Sequence, residues 1–149
     1  MHIKSIAITN FRNHRSTTLR LSPGLNILVG ENAQGKTNLL EAIYLTCIGR
    51  GWRSAYDRDM ILIGCSQTRV KTTVKKKFGD CSVEVILRAD PALPRSCKKF
   101  IKVNDIPVSR MGELMGTTNC IFFSPDELRL IKEAPADRRR FLEIGRAHV

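Results

Sequence analysis

The stretch that decides the fold runs from residue 30 to residue 37 and reads Gly30-Glu31-Asn32-Ala33-Gln34-Gly35-Lys36-Thr37. It has the form of a complete phosphate-binding loop. In such a loop the glycines let the main chain approach phosphates, the lysine reaches the β- and γ-phosphates, and the threonine hydroxyl ligates Mg²⁺. The four fixed positions arise by chance in well under ~1% of chains of this length. The sequence therefore predicts that residues 30–37 bind a nucleoside triphosphate, with Thr37 as a ligand of Mg²⁺.

The segments on either side of the loop fit this interpretation. Leu25–Val29 is a short apolar run typical of a buried strand, and residues 38–48 are typical of an apolar helix that packs on a sheet and ends at Gly49. The buried stripe of this helix is expected to contain Leu39, Ile43 and Cys47, with Leu40, Tyr44 and Ile48 beside it. Strand, glycine loop and helix in this order direct main-chain amides and a helix N-terminus at one anion.

The composition is strongly basic. The 149 residues carry a formal net charge of +11, and this length is enough for one domain or a part of one. The charge predicts a polyanionic partner, most plausibly nucleic acid. A solvated, solubilising surface is the alternative that the total charge leaves open.

The cysteine pattern indicates the compartment. The five cysteines are Cys47, Cys65, Cys81, Cys97 and Cys120. They are odd in number and contain no Cys-x-x-Cys pair, which favours reduced thiols over a disulfide framework or a zinc site. The sequence has neither a leader pattern nor an apolar run of membrane-spanning length. We therefore expect a cytoplasmic protein with no membrane contact.

Alternation of apolar and polar residues predicts several strands and an antiparallel subdomain over residues 66–108. Three single strands are predicted over residues 2–9, Thr17–Leu21 and Asn119–Phe123, the last of them short and buried. One hairpin is predicted from Thr68–Lys77 and a return strand that buries Val83, Val85 and Leu87. A second, smaller hairpin joins Phe100–Val103 to Ile106–Val108 through Asn104-Asp105.

Period-two spacing also predicts that four positive charges lie on one face of the hairpin that begins with Thr68–Lys77. They are Arg69, Lys71, Lys75 and Lys77. Such a face is either an ordinary solvated surface or a contact surface for the phosphate backbone of DNA. The spacing alone leaves both interpretations open.

The motifs that are missing limit the chemistry. The sequence has no Asn-Lys-x-Asp or Asp-x-x-Gly, which argues against a GTPase, and no Ser-Gly-Gly signature. An apolar run followed by Asp126-Glu127 imitates a Walker B strand, but Ser124-Pro125 between them is typical of a helix start. We therefore name no catalytic residue and expect this sequence to cradle phosphates but to hydrolyse ATP poorly or not at all.

Two blocks of sequence closely resemble the bacterial RecF family. The first joins Ile3-Lys4-Ser5 and Phe11-Arg12-Asn13 to the run from Gly30 to Ala42, and the second joins Phe123–Leu128 to Pro135 and Arg138–Leu142. The resemblance implies an α/β fold: a P-loop NTPase of the ABC/SMC-like head type, here a truncated N-terminal lobe with an added antiparallel β subdomain.

The resemblance also implies a function in DNA repair, replication, recombination and the SOS response. RecF-like proteins bind ATP with Mg²⁺, form ATP-dependent homodimers, clasp single-stranded or gapped duplex DNA, act with RecO and RecR, and are weak DNA-dependent ATPases. On this analogy Phe11-Arg12-Asn13 borders the nucleotide and Asn38 supports the phosphates, which extends the nucleotide site to residues 30–38.

The sequence departs from the family pattern at its C-terminal end. We expect residues 1–143 to be an incomplete ABC-type lobe that lacks the signature and Walker B motifs, and residues 144–149 to be a non-native tail. Two other functions remain as alternatives. One is another SMC-like ATPase head, and the other is a basic DNA-binding module whose nucleotide site is purely structural.

Overall fold

One antiparallel sheet organises the chain in a computed structural model that describes residues 1–93, 95–108, 111–114 and 116–123. Within these residues six strands pair in the order β2-β1-β3-β4-β5-β6, and every neighbouring pair is antiparallel. The strands are β1 (His2–Phe11), β2 (His14–Arg20), β3 (Gln67–Lys76), β4 (Gly79–Ala89), β5 (Cys97–Val103) and β6 (Ile106–Val108). The helices are α1 (Lys36–Ile48), a short 3-10 helix (Asp57–Met60) and α2 (Met111–Leu114).

The two predicted hairpins are confirmed, since β3 pairs with β4, and β5 with β6. Strand β1 also pairs with β2, a pairing that the sequence pattern did not predict. The last turn uses Asn104 and Asp105 at φ angles of 51° and 64°, a left-handed conformation that these two residue types tolerate better than most. Because β3 also pairs with β1, the strands within residues 66–108 extend the sheet that the N-terminal hairpin begins.

The two faces of the sheet have opposite character. On β3, Val70, Thr72 and Val74 are buried while Arg69 and Lys75 are exposed, as the alternation predicts. The inner face continues on β4 through Val83, Val85 and Leu87, all of which are fully buried. This apolar face packs against helix α1. The opposite face carries the charged side chains.

Helix α1 ends where expected but begins two residues earlier than predicted, at Lys36, and its most deeply buried side is different. It ends at Ile48, and Gly49 follows with φ 77° and donates its N–H to the carbonyl of Leu45 at 2.8 Å. The fully buried residues are Glu41, Ala42, Leu45 and Thr46, and Ile43 of the predicted stripe is only partly buried. Since this helix is apolar almost all round, periodicity gave little information about its orientation.

The buried strand predicted over Leu25–Val29 is wrong. This segment has no strand hydrogen bonds, and the side chains of Leu25 and Val29 are 84% and 85% exposed. A strand needs a neighbour for its main-chain groups, and none of the described residues supplies one. Asn26 instead bonds the main chain of Ser22 in both directions, at 3.0 and 2.9 Å, which stabilises a local loop.

The short buried strand predicted over Asn119–Phe123 is also wrong. These residues form no strand, and Ile121 and Phe123 are exposed. Phe122 instead contacts the rings of Trp52 and Tyr44, with centroids 4.0 and 5.4 Å apart. The helix start at Ser124-Pro125, the matching stretch from Pro135 to Leu142 and the tail 144–149 lie outside the described residues.

The sequence predicts reduced thiols and no membrane-spanning segment. All five cysteines are free thiols, and burial raises the pKa of Cys47 to about 11. In the part of the chain that the structure describes, no helix is both long enough and apolar enough to cross a bilayer.

The packing of the sheet against α1 yields a prediction about stability. Ile6 is fully buried in the core cluster, so Ile6→Ala should lower the free energy of unfolding by about 2–5 kcal/mol. The matched control is Ile106→Ala on β6, where the side chain is 68% exposed and the loss should stay below about 1 kcal/mol. Urea denaturation of both variants measures the difference, and equal losses would contradict this core.

Candidate functional site

The predicted phosphate-binding loop lies between Gly30 and helix α1 and belongs to no helix or strand. Gly30, Ala33 and Gly35 have φ angles of 151°, 64° and 99°, so left-handed conformations recur along the loop. Among the described residues, the main-chain amides from Glu31 to Asn38 donate no strong hydrogen bond to a carbonyl or a side chain, and the turn at Asn32-Ala33 brings only the N–H of Gln34 towards the carbonyl of Glu31. A concave run of uncommitted N–H groups at a helix N-terminus is suited to an anion.

Lys36 lies across this loop. Its Nζ donates to the carbonyl oxygens of Gly30 and Glu31, at 2.7 and 2.6 Å. The ammonium group is therefore held by neutral carbonyls, which an anionic oxygen can replace with a stronger bond because donor and acceptor are then both charged. The loop thus holds its single cation against its own main chain.

A cavity of about 440 Å³ lies beside the loop. Its lining residues are Asn13, Asn32, Ala33, Gly35, Lys36, Thr37, Asn38 and Arg53. Six of the nine residues predicted as the nucleotide site therefore line one cavity. Gly30 and Glu31 contribute the carbonyls that hold Lys36, and Gln34 is exposed outside the lining.

The turn between β1 and β2 supports the loop from one side. Asn13 Nδ2 donates to the carbonyl of Ala33 at 3.3 Å. His14 Nε2 lies 3.1 Å from the carbonyl of Gly35, and Nδ1 lies 3.0 Å from the hydroxyl of Thr17. Because a carbonyl can only accept, Nε2 carries a proton. Two adjacent side chains of the turn thus hold two carbonyls of the loop.

Asn38 connects the two polar walls of the cavity. Its Nδ2 donates to Oδ1 of Asn13 at 2.9 Å, and its Oδ1 accepts from Nη1 of Arg53 at 3.4 Å. Sequence reasoning selected Asn38 but missed Arg53, which follows the helix by several residues and belongs to no motif. Its cationic side chain is a second positive charge at the cavity.

The three residues Phe11-Arg12-Asn13 separate in the structure. Only Asn13 lines the cavity, and Phe11 is fully buried in the core. The guanidinium of Arg12 binds both carboxylate oxygens of Glu41, at 2.9 and 3.0 Å. Sequence reasoning also missed this pair, although an acidic residue inside an apolar helix is a signal that could have indicated it.

The basic face of the β3–β4 hairpin is largely paired with carboxylates. The ion pairs are Arg69–Glu84, Lys71–Asp105 and Lys75–Asp80. Lys77 lies 5.4 Å from the centroid of the Phe78 ring. Hydrogen bonds from Lys4 and Lys71 hold the pKa values of Asp80 and Asp105, respectively, below their usual range. Arg69, Lys71 and Lys75 therefore share one face and already have partners, whereas Lys77 lies in the turn that follows β3.

Comparison with known proteins identifies the class. The chain belongs to the family described as the AAA ATPase domain, whose model matches residues 1–77. Its fold is that of the P-loop ATPase heads: a solved SMC ATPase structure superposes with a TM-score of 0.78, covering 96% of this chain and 98% of that one, at 17% identity.

Within that class the chain resembles RecF, as its sequence motifs predict. It is 41% identical over 143 residues to the DNA replication and repair protein RecF of Alkaliphilus oremlandii, and 42% identical over 144 residues to RecF of Clostridium botulinum. A solved structure of the recombination mediator RecF with ATP superposes with a TM-score of 0.78 at 33% identity, covering 95% of this chain and 36% of that one. The chain spans about 38% of the length of the two curated relatives.

The contact between turn and loop predicts the effect of adding one methyl group. Gly35→Ala would place Cβ 2.7 Å from both Asn13 Oδ1 and His14 Nε2, at a φ of 99°. We expect a loss of about 2–4 kcal/mol in stability, since strain and a clash add. Gly24→Ala is the matched control, because its φ is 87° with nothing within 4 Å, and it should cost about 1 kcal/mol. Equal melting temperatures would show that the turn does not press on the loop.

Proposed function

We propose that this chain is the ATP-binding part of a RecF-like protein of DNA replication and repair. The observation that carries the proposal is the run of loop residues with uncommitted amides, of which Asn32, Ala33 and Gly35–Asn38 line the same cavity, together with the side chain of Lys36. Amide donors and one ammonium group are the usual recognition chemistry for a triphosphate. The RecF structure that contains ATP supports the choice of nucleotide.

The residues present fit ATP and Mg²⁺. On binding, Lys36 would exchange the carbonyls of Gly30 and Glu31 for phosphate oxygens, and the released carbonyls are exposed enough to be solvated. Thr37 lines the cavity, and its hydroxyl is a hard oxygen ligand of the kind Mg²⁺ prefers. No described carboxylate lines this cavity, so phosphate oxygens and water would complete the coordination. Mg²⁺ would there neutralise phosphate charge.

Arg53 extends the site beyond the loop. It lines the cavity together with Asn13, and its guanidinium donates to the side chain of Asn38. We propose that its guanidinium contacts a phosphate, because arginine matches phosphate oxygens in a planar, multidentate way. This contact would add positive charge where the loop has only Lys36.

The longer protein is proposed to act in recombinational repair and the SOS response in the cytoplasm, with RecO, RecR and single-stranded or gapped duplex DNA as partners. ATP-dependent dimerisation and weak ATP hydrolysis belong to the same proposal. The names of the relatives support the repair and replication function. Another SMC-like head would bind ATP in the same way, and a basic module with a structural nucleotide would bind DNA whether or not ATP is present.

Nucleotide titration tests the site. Lys36→Ala in the full-length protein should weaken ATP binding by about 10–100-fold, the range expected for one lost charge-assisted bond. Arg53→Ala should act in the same direction, by about three- to tenfold. Lys76→Ala is the matched control, since it removes the same charge at the far end of β3. Isothermal calorimetry that gives Lys36→Ala the ATP affinity of the unchanged protein would reject this site.

We also propose that the solvent face of the hairpin contacts DNA through Arg69, Lys71, Lys75 and Lys77. The net charge of +11 supports this. The ion pairs with Asp80, Glu84 and Asp105 reduce the charge that the face presents, so each phosphate contact formed there competes with an internal partner. The expected contribution of each residue is correspondingly modest.

The salt dependence of DNA binding tests this surface. Lys75→Ala should reduce the slope of log K against log salt concentration by about 0.7–0.9, because one phosphate contact is lost. Its neighbour Lys76 points to the other face by strand alternation, and Lys76→Ala should leave the slope unchanged. Fluorescence anisotropy at several salt concentrations measures both. Identical slopes for the two variants would exclude this face as the DNA contact.

A further inference from the structure

We infer that Glu41 and Arg12 are a positioning pair for the phosphate-binding loop. The inference rests on the proposed ATP site and assigns two residues outside the cavity lining to its function. Neither is a nucleotide ligand in this assignment. They fix the β1–β2 turn and the segment after helix α1, which in turn hold the loop and Arg53.

The first observation is the position of Glu41. Its side chain is fully buried on helix α1. One carboxylate oxygen accepts from Arg12 Nε at 2.9 Å, and the other accepts from Arg12 Nη2 at 3.0 Å. The second oxygen also accepts the main-chain N–H of Arg53 at 3.4 Å. One carboxylate therefore holds two chain segments that are far apart in the sequence.

The second observation is that Arg12 is almost fully engaged. Besides Glu41, its guanidinium donates to the carbonyl of Asp59 at 2.9 Å and to the hydroxyl of Ser54. Its main-chain N–H donates to the carbonyl of Met60 at 2.9 Å. Four of the five guanidinium N–H groups are thus used inside the fold, and the side chain is directed into helix α1 rather than into the cavity.

The third observation is a repetition along helix α1. Asn38 and Glu41 are three residues apart and therefore share a helix face. Asn38 contacts the side chains of Asn13 and Arg53. Glu41 contacts the side chain of Arg12 and the main chain of Arg53. The β1–β2 turn and the segment around Arg53 are thus each attached to the helix twice, once at Asn38 beside the cavity and once at Glu41, one helical turn further along.

The consequence for the loop follows from its lack of internal bonds. Asn13 and His14 hold the carbonyls of Ala33 and Gly35, while the loop amides stay uncommitted. A loop that keeps its donors for a ligand needs external support to hold its shape. The buried pair supplies this support, because a bidentate Arg–carboxylate contact fixes orientation as well as distance.

The experiment measures ATP affinity in Glu41→Gln and Arg12→Lys variants of the full-length protein, well below their melting temperatures. Gln keeps the shape of Glu41 but removes its charge, and Lys keeps the charge of Arg12 but removes the guanidinium group that makes the bidentate contact. Both should weaken ATP binding by about tenfold, and the double variant should be no weaker than either single one. Asp80→Asn is the control: it breaks an exposed ion pair on the other face of the sheet and should leave affinity within about twofold.

The sign of the Glu41→Gln effect decides between interpretations. If Arg12 acted directly on phosphate, releasing it from Glu41 and removing a negative charge would tighten ATP binding, and this result would overturn the inference. A lower melting temperature with unchanged affinity would overturn it too, since the pair would then only stabilise the fold. If Glu41→Gln does not fold, an unchanged ATP affinity in Arg12→Lys would be enough to reject the positioning role. Loss of the Lys36→Ala effect in the same assay would instead reject the ATP site itself.

Discussion

Apolar packing of helix α1 on the sheet is the constraint on which the candidate site depends. Leu39, Ala42 and Leu45 join the inner faces of β1, β3 and β4 in one cluster, and each large side chain buried there stabilises the fold by about 1.5–3 kcal/mol. Since the helix begins at Lys36, this packing determines where its N-terminus lies. The phosphate-binding loop is thereby fixed at one end by a contact that involves none of its own residues.

Apolar packing fixes the helix but not the conformation of the loop before it, and polar contacts from neighbouring residues hold that conformation. The loop cannot both satisfy its own amides and offer them to an anion, so its shape has to come from its neighbours. The side chains of the β1–β2 turn reach its carbonyls, which are groups that a phosphate does not need. Acceptors are thus used for support while donors are kept for the ligand. This division explains why the adjacent turn is polar, although Phe11 immediately before it is buried.

The sequence correctly predicted those elements whose conformation is determined by residues close together in the chain. Period-two alternation located the β3–β4 hairpin, and Asn104-Asp105 located the last turn, because side-chain direction and left-handed backbone follow from the residues themselves. The glycine spacing located the loop for the same reason. Arg12–Glu41 and the placement of Arg53 could not be predicted in this way. Those contacts join residues far apart in the chain, and they depend on how the helix is rotated against the sheet.

The wrong strand prediction for Leu25–Val29 shows what determines the loop. Its composition fits a strand, yet a strand also requires a partner, and its apolar side chains are exposed. The loop that follows is nevertheless open and surrounds a cavity with Lys36. Its conformation therefore does not require a paired strand before Gly30. The loop is instead held by the start of helix α1 and by the β1–β2 turn. The Arg12–Glu41 pair lies behind that turn and is for this reason relevant to binding.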